Sequence, residues 1–174
     1  EDAEIENMHS LDLIKIKAIP DDTRMNEIEG TVKAIVCSHG HLDHIGAIPK
    51  LAHRYNAPII ATPYSTELIR QQISGEQKFG VNTKLFALKS GQRYTLSQNL
   101  ILEFVRTQHS IIDTVTPVLH TPHGAIVYAC DFKLDRTPVI GEPPDFARFR
   151  QIGKEGVLAL IVESTYIERP GRCP

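Results

Sequence analysis

The stretch Ser-His-Gly-His-Leu-Asp-His at residues 38–44 decides the predicted fold. It directly follows Val-Lys-Ala-Ile-Val-Cys at residues 32–37, a β-branched apolar run typical of a buried strand. Its four metal-type side chains are His39, His41, Asp43 and His44. At strand spacing the first two imidazoles point to the same side, so they can bind one cation, while the last two can bind a second. Imidazole and carboxylate ligands without a thiolate suit zinc, with manganese or iron as competitors. A solvated His/Asp turn is the alternative, and the density of ligand-type residues argues against it.

The rest of the chain shows short strands mixed with helices. The spacing of apolar residues predicts strands at 13–17, 32–38, 58–62, 84–88, 92–96, 100–106, 114–119, 125–130 and 157–163. Helices are predicted from Asp43 to about Asn56, from Pro63 to about Ile73, and over 145–152. The closely spaced runs from 84 to 130 favour antiparallel strands, and the all-apolar run at 157–163 favours a last buried strand. This order predicts an α/β (α+β) fold with sheets packed face to face and helices outside.

Composition excludes several functional classes. The 174 residues are 41% hydrophobic and 23% charged, with a formal net charge of −2, so the chain is not a generally basic nucleic-acid binder. No run approaches the roughly 18–20 consecutive apolar residues of a membrane span, so no membrane role is expected. Three cysteines without a C-x-x-C pair, and no leader pattern at the first residues, predict reduced thiols and a cytoplasmic protein.

The histidine cluster resembles the H-x-H-x-D-H motif of the metallo-β-lactamase superfamily, which implies an αββα sandwich with two metal ions. Two later residues fit the remaining ligands of that pattern, because His109 and Asp131 each end a predicted strand. The resemblance implies that His39, His41 and His109 bind one ion. It also implies that Asp43 and His44 bind the second ion and that Asp131 bridges both. The ions are expected to be two Zn²⁺, with Mn²⁺ as the alternative.

Four longer segments are similar to the ribonuclease J enzymes of the β-CASP branch, with archaeal members nearer than bacterial ones. They are SHGHLDHIGAIPKL (38–51), QHSIIDT (108–114), DFKLDRTPV (131–139) and VESTYIERPG (162–171). The resemblance implies a metal-dependent ribonuclease that acts on the 5′ end of single-stranded RNA, with 5′→3′ exonucleolytic cleavage in the intact enzyme. Glu163 matches the acidic residue with which the β-CASP region begins. We expect its carboxylate to contact a histidine that binds metal, without binding metal itself.

The sequence also departs from the family pattern. The Asp-x-Gly strand motif expected before the histidine cluster is absent, and Cys130 stands where glycine usually precedes the bridging aspartate. The chain therefore resembles an interior fragment that lacks the family's first strands and its β-CASP domain, and the fragment alone is expected to be inactive. The predicted organisation is a lead-in at 1–30, a partial metallo-β-lactamase domain at 31–163, and the start of a connection at 164–174.

The expected mechanism is hydrolysis of a phosphodiester by a metal-activated water. Asp43 is expected to be both a ligand and the proton acceptor, and Lys133 and Arg136 are candidates for phosphate contact, with an exposed charge pair as the equal alternative. Two other functions stay open: another hydrolase of the same fold, such as a tRNA 3′-processing or thioester hydrolase, and a metal-free scaffold. A homo-oligomer is also left open.

Overall fold

The computed structural model of the chain describes residues 8–76, 82–165 and 167–171. The first residues of the predicted lead-in, Cys173 and parts of the predicted 164–174 connection lie outside these ranges. The chain divides into two compact units, Glu1–Ala87 and Leu88–Pro174, each with its own sheet. The mixed α/β class with two sheets is therefore as predicted.

The first unit combines a short parallel sheet with helices. Its strands are β1 (Ile35–Val36), β2 (Ile59–Ala61) and β3 (Leu85–Ala87), paired in parallel in that order. Its helices are α1 (Ser10–Lys15), α2 (Leu42–Ile45), α3 (Ile48–Leu51) and α4 (Pro63–Gly75), with 3₁₀ turns at Thr23–Glu27 and Ala52–Arg54. The core comprises Cys37, Ile45, Ile48, Ala52, Ile59, Ala61 and Ile69.

The second unit is a five-stranded sheet with one helix. Its strands are β4 (Arg93–Ser97), β5 (Leu100–Arg106), β6 (Val115–Thr121), β7 (Gly124–Ala129) and β8 (Val157–Val162), paired in that order. The first four are antiparallel, whereas β8 runs parallel to β7 after helix α5 (Phe146–Glu155). Its core is formed by Val105, Val118, Ala125, Val127 and Ile152.

Three predicted elements differ from the structure, one of them only in the direction of its pairing. Residues 13–17 lie largely in helix α1, because His9 Nδ1 caps the helix at Leu11 N and Leu13 is its buried apolar anchor. The run at 84–88 is parallel to β2 rather than antiparallel, since helix α4 carries the chain back across the sheet. The helix predicted from Asp43 breaks into α2 and α3, and Pro49 occupies the first turn of α3.

Strand β8 forms where it was predicted, but it is not buried. Five of its six residues are exposed, and Leu160 is 61% accessible. The physical reason is its place in the sheet: within the described ranges β8 is an edge strand paired only with β7. An apolar run therefore predicted a strand correctly and its environment incorrectly.

A single carboxylate organises the second unit. Glu103 on β5 is 3% exposed, and it accepts hydrogen bonds from Arg148 of α5 at 2.6 and 2.9 Å. His120 Nε2 lies 2.6 Å from the same carboxylate and Arg93 Nη2 lies 3.1 Å from it. Burial acts to raise the pKa of Glu103, but the bonds from Arg148 and His120 outweigh it and lower the pKa to about 2. This cluster connects β4, β5, β6 and α5.

Replacing Glu103 by glutamine is expected to destabilise the protein by about 3 kcal/mol, because the guanidinium of Arg148 loses the carboxylate that accepts its two shortest hydrogen bonds and keeps the more exposed Glu155. Urea unfolding measures the change. Glu155→Gln is the matched control, since Glu155 bonds the same guanidinium at 3.2 Å from a more exposed position, and its stability should stay near wild type. Equal stability of both variants would contradict a structural role for the cluster.

The same cluster predicts an acid dependence. The folded pKa of Glu103 is lowered from 4.5 to about 2, so the free energy that its ionised form contributes is present above pH 4.5. That contribution is lost as the pH falls from 4.5 towards 2. The difference in unfolding free energy between wild type and Glu103→Gln should therefore shrink over that interval, as measured by urea unfolding at stepped pH. A difference that stays constant down to pH 2 would be inconsistent with the lowered pKa.

Candidate metal centre

The turn after β1 positions the first group of predicted ligands. Cys37 N still donates to Ile60 O at 3.0 Å, and the chain then turns so that His41 stands at the start of helix α2. A side chain at Gly40 would place its Cβ 2.7 Å from Leu68 Cδ1 and 3.4 Å from Ser65 Oγ. The turn therefore packs closely on helix α4, and a larger residue at position 40 would require the Leu68 side chain to move.

Three imidazoles gather at this turn within the first unit. His39 is fully buried, its Nε2 lies 3.1 Å from His41 Nδ1, and its ring centroid is 4.2 Å from that of His44. Ser38 Oγ lies 2.9 Å from His39 Nδ1. In the tautomer with a proton on Nδ1, His39 donates to Ser38 and keeps the Nε2 lone pair for a ligand.

Asp43 sits on the solvent side of the same group. Its side chain is 79% exposed, and its Oδ2 lies 3.5 Å from His44 Nε2. Helix α2 is only four residues long, so the carboxylate and the imidazole are carried by adjacent residues of one short turn. An exposed carboxylate beside an imidazole can both bind a cation and exchange a proton with water.

The second unit brings His109 and Asp131 together. His109 follows β5 and Asp131 follows β7, and the imidazole Nε2 lies 3.3 Å from the carboxylate Oδ2. A backbone bond from Lys133 N to Gln108 O, 2.5 Å long, joins the two segments next to these side chains. The sheet therefore holds both groups at its strand ends, as the sequence predicted.

The spacing of these atoms fits metal ligation. Ligand atoms that each lie about 2.0–2.1 Å from a tetrahedral zinc ion are about 3.3 Å apart. The His39–His41 pair at 3.1 Å and the His109–Asp131 pair at 3.3 Å match that spacing, each within its own unit. Imidazole nitrogens with a carboxylate oxygen also form a donor set that zinc and manganese accept.

The remaining predicted residues take different positions in the second unit. Glu163 N donates to Ala129 O at 3.2 Å, and its carboxylate accepts from Thr165 N at 2.7 Å. The hydrogen bonds from Thr165 and the nearby charge of His109 lower the pKa of Glu163. The guanidinium of Arg136 lies 4.6 Å above the centre of the Phe146 ring.

Sequence reasoning missed the residues that orient these groups. Ser38 lies inside the quoted motif, and a hydroxyl directly before a ligand histidine was the available signal. The contact that Gln108 makes could not be predicted from the sequence, because its amide Nε2 donates to Glu142 O, 34 residues away. The sequence predicted reduced thiols, and Cys37 and Cys130 are both buried and free of a disulfide. Burial raises the pKa of the Cys37 thiol to about 12, so it stays protonated and unreactive at neutral pH.

Comparison of the sequence with known proteins shows the family to which the chain belongs. Residues 23–141 match the model of the Metallo-beta-lactamase superfamily. The whole chain is 56% identical to ribonuclease J of Methanocaldococcus jannaschii and 46% identical to ribonuclease J of Pyrococcus abyssi. The chain spans about two fifths of the length of these curated relatives, 39% and 38% respectively.

The fold likeness extends to solved structures. A protein of unknown function from Enterococcus faecalis V583 matches 97% of the chain at a TM-score of 0.57, with 17% identity and 42% of that protein covered. At this identity the likeness concerns the fold alone. None of the helices in the described ranges combines the length and apolar character that crossing a bilayer requires.

Removing the Ser38 hydroxyl tests how His39 is oriented. Ser38→Ala is expected to weaken Zn²⁺ binding by roughly 10–100-fold, because it removes the partner of Nδ1 without removing a ligand. Competition against a chromophoric chelator measures the affinity. Ser74→Ala is the control, since that exposed hydroxyl donates to the Gln71 carbonyl of its own helix at 2.8 Å. Wild-type affinity in Ser38→Ala would show that the hydroxyl does not orient the imidazole.

Proposed function

Because the chain belongs to the metallo-β-lactamase superfamily, we propose that it is the metal-binding part of a ribonuclease that hydrolyses RNA phosphodiester bonds. The observation that carries the proposal is the 56% identity to a ribonuclease J along all 174 residues. The superfamily contains many hydrolases, so the fold alone does not indicate a substrate. The proposed substrate class is based on the ribonuclease J relatives.

The proposed ligand set is the one that the family resemblance implies. His39, His41 and His109 would hold one ion, Asp43 and His44 would hold the other, and Asp131 would contribute its carboxylate to both. The local geometry supports this assignment in each unit separately, through the 3.1 Å and 3.3 Å spacings of the ligand atoms. Two Zn²⁺ are proposed, with Mn²⁺ as the alternative, because the donors are nitrogen and oxygen without a thiolate.

Divalent ions at such a site lower the pKa of water towards neutrality and neutralise charge on phosphoryl oxygens. The side chains of this chain have complementary tasks. Asp43 accepts the proton that the attacking water loses, and its exposure of 79% leaves the carboxylate open to that water. Glu163 stabilises His109 as a nearby negative charge.

The substrate is proposed to be single-stranded RNA entering by its 5′ end, with 5′→3′ exonucleolytic cleavage in the intact enzyme. The chain has a formal net charge of −2 and so no general basic surface for RNA. In this proposal the metal ions and a β-CASP domain would hold the phosphates instead. Action on cellular RNA in the cytoplasm is part of the same proposal.

The ligand assignment is tested in the full-length protein. His41→Ala or Asp131→Ala is expected to abolish RNA hydrolysis, because each removes a group bound directly to metal. Glu163→Gln should cost only about 10–100-fold in rate, as is usual for residues that support a ligand. Hydrolysis of a 5′-labelled RNA measures all three, and elemental analysis measures bound zinc and manganese.

His123→Ala is the matched control, because this exposed histidine lies in the β6–β7 turn and its substitution should leave hydrolysis at the wild-type rate. Nearly normal cleavage by His41→Ala would contradict the assignment of His41 as a metal ligand. Less than about one metal ion per full-length chain would favour the metal-free scaffold. Cleavage of tRNA 3′ ends or thioesters in place of 5′-labelled RNA would favour another hydrolase of this fold.

A further inference from the structure

The second unit contains a cavity of about 600 Å³ beside His109. One wall is the segment 107–114 that follows β5, and the other is the segment 133–142 that follows β7. Its volume falls inside the roughly 300–1,000 Å³ range of small-molecule sites. The cavity lies wholly within one unit, so its shape is set by that unit alone.

Hydrogen bonds between the two walls build the cavity in advance. Gln108 O accepts from Lys133 N, and Gln108 Nε2 donates to Glu142 O. Arg106 donates to Pro143 O at 2.9 Å and pairs with Glu142 at 3.0 Å. These contacts fix both segments before any ligand arrives, which reduces the entropy lost on binding.

The lining combines apolar side chains with one available cation. Ile112, Val139 and Ile140 line the cavity and are 52%, 100% and 71% exposed. Lys133 also lines it, and its ammonium has no ion pair among residues 8–76, 82–165 and 167–171. Apolar side chains suit the faces of a nucleobase, and an ammonium suits a phosphate.

Three acidic residues also line the cavity, Asp113, Asp135 and Glu142. Glu142 pairs with Arg106, and Asp135 accepts from Thr137 N at 2.8 Å within its own turn. The structure also gives different surroundings to Lys133 and Arg136, the two cations predicted as candidates for phosphate contact. Lys133 faces the cavity, whereas Arg136 stacks on Phe146 and is not part of the lining.

We propose that this cavity binds the RNA nucleotide next to the phosphodiester that is cleaved, with Lys133 on its phosphate and the 111–112 and 139–140 side chains against its base. The inference rests on the proposed ribonuclease function, because the position of the nucleotide follows from His109 being a metal ligand. The contact with the base is apolar, so it selects single-stranded RNA over a duplex without reading a sequence.

Full-length protein carrying Lys133→Gln tests the proposal with a single-stranded RNA of about ten nucleotides. We expect KM to rise about 10- to 150-fold, as for loss of a hydrogen bond to a charged group. The slope of log KM against log salt should fall by about 0.7, the value for one phosphate contact on a single strand. Lys154→Gln is the matched control, because this exposed lysine lies on α5 away from the cavity, and both readouts should stay at wild type.

A second pair of variants tests the apolar wall. Ile140→Asp should raise KM, whereas Leu134→Asp should not, since Leu134 is 61% exposed but does not line the cavity. Wild-type KM and salt slope in Lys133→Gln would overturn the inference while the ribonuclease proposal stands. Absence of RNA cleavage by wild-type protein would instead defeat the proposed function. A large loss of thermal stability in Ile140→Asp with unchanged KM would show that polypeptide fills the cavity, which also overturns the inference.

Discussion

A fully buried imidazole must have a partner at both ring nitrogens, and this constraint on His39 underlies the rest of the site. The serine immediately before it occupies one nitrogen, and the other faces His41. Leaving either nitrogen unsatisfied in the interior would cost about 1–3 kcal/mol, so the turn has few alternative conformations. The close approach of Gly40 to helix α4 then fixes how far the turn can move. Local packing therefore presents the ligand atoms before any ion is present.

The sequence predicted the elements that carry the site more accurately than their surroundings. Strand β5 and helix α4 are found close to their predicted bounds, because β-branched runs and a Pro-initiated apolar period are strong local signals. The candidate ligand residues stand out in the sequence because the motif places four of them in six positions. Their assembly around ions stays a prediction, since a pattern along one chain does not measure distances between units.

Interactions between residues distant in sequence could not be read in the same way. Glu103 gave no signal, because Arg148, 45 residues later, and His120 become its partners only when β5, β6 and α5 have packed. Residues 13–17 were predicted as a strand, since a five-residue alternation cannot be distinguished from the last turn of a short helix that begins at Ser10. The two histidines His39 and His120 show the same principle: one sits among metal-type side chains and the other supports a buried carboxylate, and only their partners differ.

Strand β8 affects how the isolated chain behaves in solution. An apolar edge strand with unpaired backbone groups is a template for pairing with another polypeptide, and the exposed faces of Leu158 and Leu160 lie on it. The six residues of β8 therefore favour association between copies of the isolated chain, and the net charge of −2 opposes it only weakly. Dilution is expected to limit such association better than added salt, because salt screens charge repulsion and does not weaken apolar contacts.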